Sequence, residues 1–100
     1  MSRVSGTTGG YVAAGELLKV LSAPARLAIV TELAEQPRHV HELVRALEMS
    51  QPLVSQHLRV LRSARLVEVE RRGREAVYSL ADNHVAHIVA DAVNHSKEAP

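Results

Sequence analysis

This chain of 100 residues contains no cysteine, phenylalanine or tryptophan. Without cysteine there are no disulfides, thiolate metal sites or thiol redox switches, so any metal must be held by nitrogen and oxygen. Tyr11 and Tyr78 are the only large aromatic side chains. The core must therefore come from Leu, Ile, Val and Ala, the larger of which contribute about 1.5–3 kcal/mol each when buried. So short a chain gains much by burying a further face against a second copy. No apolar run approaches the ~18 residues of a membrane span. The Ser/Thr/Gly-rich residues 1–10 also lack the apolar middle of a signal peptide. The expectation is a soluble, cytoplasmic protein with no membrane partner.

A content of 46% apolar and 23% charged residues suits one globular domain. Residues 1–10 offer little to bury against the entropy of ordering and read as a disordered tail, leaving residues 11–98 as the domain. The net charge of +1 hides an uneven distribution. Gln51 to Glu75 holds six Arg against three Glu, whereas Asp82 to Pro100 holds three acids against one Lys. A basic middle thus precedes an acidic end.

Leu17, Leu18 and Leu21 give a helical period, and Ser22-Ala23-Pro24 supplies an N-cap and a first-turn proline for a second helix to Glu35. That helix would bury Leu27, Ile29 or Val30, and Leu33. Leu43, Val44 and Leu47 mark a short third helix over Val40 to Glu48. Ser50 can cap the fourth, in which Pro52 occupies the first turn and Val54, Leu58 and Leu61 form the core stripe. Two helices so closely joined make a helix-turn-helix pattern. Leu66 to Glu70 and Glu75 to Leu80 alternate about a turn at Arg71-Arg72-Gly73-Arg74, giving a β-hairpin with a basic tip. Val85, Ile88, Val89, Ala92 and Val93 then mark an amphipathic last helix from Asp82 to about Ser96. The fold class is mainly α with a small β-hairpin, a winged helix-turn-helix expected to form a homodimer.

Opposite its core stripe the fourth helix turns Gln51, Ser55, Gln56, Arg59 and Arg62 outward. Gln pairs with adenine, Ser reaches base edges or phosphate, and Arg binds guanine or phosphate. Ser50 stands at the helix entry, and His57 reads as a partner-contact or packing residue. Arg71, Arg72 and Arg74 on the wing suit the DNA backbone or minor groove. Each of these residues alone is equally readable as a solvated surface group. The series of helix entry, basic hairpin and dimerising helix points to double-stranded DNA as the partner.

The last helix carries Asp82, His84, His95 and Glu98. Eleven residues separate the two histidines by roughly 16 Å, far beyond the ~2 Å bonds of a zinc site, while returning them to nearly the same face. One chain can supply only half a site, and two antiparallel helices complete two. Two His with two carboxylates suit tetrahedral Zn2+. Asp82 is equally readable as an N-cap and Glu98 as a solvated carboxylate. His84, His87 and Asp91 form a rival set within one chain. His39 and His41 read as packing or surface residues. A zinc enzyme is disfavoured, because four ligands close the site and no spare catalytic base stands nearby.

The run Leu17-Leu18-Lys19-Val20-Leu21-Ser22-Ala23-Pro24-Ala25-Arg26-Leu27, followed by Ser50 to Leu61, resembles the ArsR/SmtB family of bacterial metal-sensing repressors. Arg72-Gly73-Arg74 leading into Val77-Tyr78-Ser79-Leu80 looks like that family's wing. Asp82-x-His84 with His95-x-x-Glu98 matches the ligand pattern of its zinc sensors. The resemblance implies a homodimer that binds operator DNA when metal-free and releases it when zinc fills the sites between the last helices. Cobalt or nickel, or a non-metal signal, are the alternative effectors. Family members that sense metal near the helix-turn-helix use cysteines where this chain has His39 and His41, so that second site is expected to be absent or altered.

Overall fold

The computed structural model describes residues 5–98, with side chains described from Thr8 onward. Eight elements follow in order: α1 (Ser5–Leu21), α2 (Pro24–Glu35), β1 (Arg38–His39), α3 (Val40–Leu47), α4 (Gln51–Ser63), β2 (Val67–Arg72), β3 (Glu75–Leu80) and α5 (Asn83–Glu98). The sheet runs β1-β3-β2 and is antiparallel throughout.

The first helix begins at Ser5, inside the segment expected to be a tail; residues 1–4 lie outside the described residues. Thr8 to Glu16 are all exposed, so this extension adds no side chain to the buried core. Ser22 does not cap α2. Its hydroxyl donates to the Lys19 carbonyl at 2.8 Å, closing α1 instead. Ala23 takes the N-cap position with no side-chain hydrogen bond, and Pro24 starts the helix where a missing N–H costs nothing.

At α3 the Glu42 carboxylate accepts the backbone N–H of His39 at 2.8 Å, satisfying an orphan donor at the helix start. That bond is the main reason the Glu42 carboxyl lies below its ordinary range. Glu48 ends α3 in the left-handed region, at φ 54°. Ser50 then caps α4 by accepting from the Leu53 N–H at 3.4 Å. Three residues thus separate α3 from α4. Arg65, also left-handed at φ 63°, turns the chain from α4 into β2.

The core joins Leu21, Ile29, Val30, Leu33, Leu43, Val54, Leu58, Leu61, Leu66, Val67, Val85 and Val89. Both Ile29 and Val30 are fully buried, so the choice between them dissolves. Leu18 departs from expectation: it is 54% exposed, as Tyr11 is at 71% and Val12 at 57%. Ala92 is exposed too. With Leu27 and Ile88, Leu18 and Ala92 line an apolar groove between α1, α2 and α5 that one chain leaves uncovered.

Two differences concern the sheet. The strand β1 pairs Arg38 with Tyr78 and His39 with Val77, turning the expected hairpin into three strands. Arg71 and Arg72 belong to β2, opposite Ala76 and Glu75, so the turn is only Gly73-Arg74. Gly73, at φ 65°, supplies the positive φ that a two-residue hairpin connection needs at its first position.

Candidate nucleic-acid interface and metal half-sites

The packing of α4 decides which of its residues face outward. Val54, Leu58 and Leu61 are sealed in the core. Gln51, Gln56, Arg59 and Arg62 are exposed on the other side, with Ser55 half-buried beside them. Ser50 is exposed and engaged as the cap. Arg71, Arg72 and Arg74 are exposed on the hairpin. Arg72 reaches Glu70 at 3.1 Å, which offsets part of the wing's positive charge.

The structure brings some of these residues together and holds others apart. Gln51, Arg71 and Arg74 share one cleft with His39 and His41. Arg62, at the far end of α4, lines a different cleft with Arg65 and Glu68. Arg71 and Arg74 thus gather at the entry of α4, and Arg62 and Arg65 near its exit.

His57 is turned inward. Its Nδ1 accepts from Arg26 Nε at 3.2 Å, while Arg26 Nη1 donates to the Val20 carbonyl at 3.1 Å. Burial, and then the Arg26 charge, hold the His57 ring below its ordinary pKa. His57 is thus half-buried in a packing contact, with Arg26 as the tie between α1, α2 and α4. Nothing in the sequence marks that pairing across 31 positions.

At the other end of the molecule Asp82 Oδ1 accepts the backbone N–H groups of His84 at 2.9 Å and Val85 at 3.3 Å, as an N-cap does. The same oxygen lies 3.6 Å from His84 Nδ1. Capping therefore positions the carboxylate beside the imidazole, and both side chains are open to solvent. His95 and Glu98 are exposed near the far end of α5, three residues apart and so on adjacent turns of one face. Among the described residues no three His, Asp or Glu side chains come together as a metal site. The rival set of His84, His87 and Asp91 is not assembled. The donors present, Asp82 with His84 at the entry of α5 and His95 with Glu98 near its end, are oxygen and nitrogen groups of the kind that bind a divalent cation, held as two separate pairs.

Residues 23–69 match the bacterial regulatory protein family described as arsR. Over 86 residues the chain is 62% identical to the HTH-type transcriptional repressor SmtB of Mycobacterium tuberculosis, covering 86% of this chain. The chain spans 64% of that relative's length. It is 46% identical over 80 residues to the HTH-type transcriptional regulator NmtR of Mycobacterium tuberculosis, covering 80% of this chain and 67% of that one. The chain belongs to the ArsR family.

Among solved structures of similar shape is a homodimeric winged helix-turn-helix DNA-binding domain, Mb0332 from Mycobacterium bovis. It is 28% identical, with a TM-score of 0.80, and the match covers 92% of this chain and 85% of that one. The winged helix-turn-helix fold follows for this ArsR-family chain. The family match spans α2 through the start of β2, so Asp82 and α5, with His84, His95 and Glu98, lie outside it.

Proposed function

We propose that this ArsR-family chain is a metal-responsive transcriptional repressor. It acts in the cytoplasm as a homodimer that binds double-stranded operator DNA through α4 and the wing. It lets go when zinc joins the α5 helices. One observation carries the metal half of this reading: Asp82, which caps α5, pairs with His84 at one end of the helix while His95 and Glu98 stand exposed at the other, two donor pairs kept apart by its length. No enzymatic activity is assigned, as its SmtB and NmtR relatives are named as transcriptional regulators.

The uncovered groove of Leu18, Leu27, Ile88 and Ala92 supports dimerisation through α1 and α5. A two-fold dimer presents two α4 helices to successive major grooves about 34 Å apart, so a small change between subunits spoils both contacts. Gln51, Ser55 and Gln56 then read base edges, while Arg59, Arg62, Arg71, Arg72 and Arg74 contact the backbone. Zinc would be held by Asp82 and His84 of one subunit with His95 and Glu98 of the other, and would supply a link between the two chains. The chain's part is to hold Asp82 beside His84 by capping, and to set His95 and Glu98 on one face. A dimer arrangement that brings these four side chains together would be favoured when metal is bound, and by linkage DNA binding would weaken metal binding by the same factor.

A second effector reading is nickel or cobalt, favoured by exposed His87 and Asp91 on α5, which offer further donors for six-coordination. Operator binding by fluorescence anisotropy, titrated with zinc, cobalt and nickel, tests the function and ranks the metals. No DNA binding in any metal state would refute it.

A further inference from the structure

A cleft of about 300 Å³ opens between the start of α3, the start of α4 and the wing. His39, His41, Gln51 of the first turn of α4, Arg71, Arg74 and Glu75 line it. The pairing of β1 with β3 creates it, by placing His39 opposite Val77, two residues from Glu75. The two imidazoles stack with ring centres 5.4 Å apart and planes within 9°. His39 Nδ1 is buried, has no aligned hydrogen-bond partner and lies 3.1 Å from Glu75 Oε1.

Apart from Glu75, these side chains are hydrogen-bond donors or can be: two guanidinium groups, an amide and two imidazoles. Two permanent positive charges make the cleft hostile to a divalent cation and suited to an anion. Its volume holds about ten waters' worth of liquid, room for one phosphodiester group and its hydration. The first helix of a helix-turn-helix crosses the DNA backbone, which brings the start of α3 to phosphate. We propose that this cleft seats one backbone phosphate of the operator. Arg71, Arg74 and His41 contact it, and His39 is a positioning residue that holds the Glu75 carboxylate away from it. The inference rests on the DNA-binding reading and adds His39, His41 and Glu75 to the interface.

The test is operator affinity against salt concentration for the full chain and its variants, with thermal melts to show that each folds. His41→Ala lowers affinity about two- to fivefold, and Glu75→Gln raises it by a similar factor, in the range of exposed charge contacts. Arg71→Ala or Arg74→Ala lowers the slope of log affinity against log salt by about one. His39→Ala weakens binding when Glu75 is present and not in a Glu75→Gln background, while His39→Gln, which keeps a donor, restores affinity. Wild-type operator binding with unchanged affinities and slopes in these variants overturns the cleft alone; failure of wild-type protein to bind DNA overturns both readings. Stoichiometric zinc binding lost with His39→Ala and His41→Ala would assign the cleft to metal and likewise overturn it.

Discussion

Arg26 Nε donates to His57 Nδ1 at 3.2 Å, and the same guanidinium donates to the Val20 carbonyl at 3.1 Å. Because arginine stays protonated, it can only donate, so His57 must accept through Nδ1 and carry its proton on Nε2. One side chain of α2 thereby favours the neutral ring and selects the tautomer of a residue in the middle of α4.

This contact makes stability depend on pH. Burial and the Arg26 charge hold His57 below the ordinary histidine value of 6.5, so the unfolded chain takes up that proton more readily than the folded one. The contribution is fully present above pH 6.5 and is lost as pH falls toward the lowered folded value. Thermal melts between pH 5 and about 8 are expected to show a loss at the acid end that His57→Asn diminishes. Equal acid sensitivity in both proteins would count against the link.

The core and the uncovered face respond differently to truncation. Leu58→Ala removes a side chain 1% exposed and is expected to cost about 2–5 kcal/mol in chemical denaturation. Leu18→Ala removes one 54% exposed on its own chain. It leaves secondary structure intact and weakens self-association, read by analytical ultracentrifugation. Unchanged association would remove Leu18 from the dimer face.

Base reading and backbone contact separate by mutation. Gln51→Ala and Gln56→Ala are expected to cost about 1–3 kcal/mol on the operator and little on random DNA. Arg59→Ala weakens both alike. Equal losses on both DNAs from the glutamine changes would place them on the backbone instead.

Much of this was legible because period and punctuation agree. Val54, Leu58 and Leu61 with a Ser50 cap define α4, and strict alternation with Gly73 defines the hairpin. The two-residue strand β1 was not legible, since Arg38-His39 is too short to alternate and gains its partner only through tertiary pairing. The exposure of Leu18 was missed because periodicity marks an apolar face without saying which chain covers it. At the candidate metal site, spacing alone foretold that His84 and His95 stay apart; the Asp82 hydrogen bonds that place its carboxylate beside His84 needed coordinates.

The central claim, that each zinc site takes Asp82 and His84 from one subunit and His95 and Glu98 from the other, is tested by mixing variants. His84→Ala and His95→Ala homodimers each lack both complete sites. A mixed dimer keeps one intact, formed by the His84 of one chain and the His95 of the other. After subunit exchange of equal amounts, zinc titration by calorimetry should recover about a quarter of the wild-type sites, with zinc-dependent operator release returning in part. Tight zinc binding by either variant alone, or none recovered on mixing, contradicts the shared site.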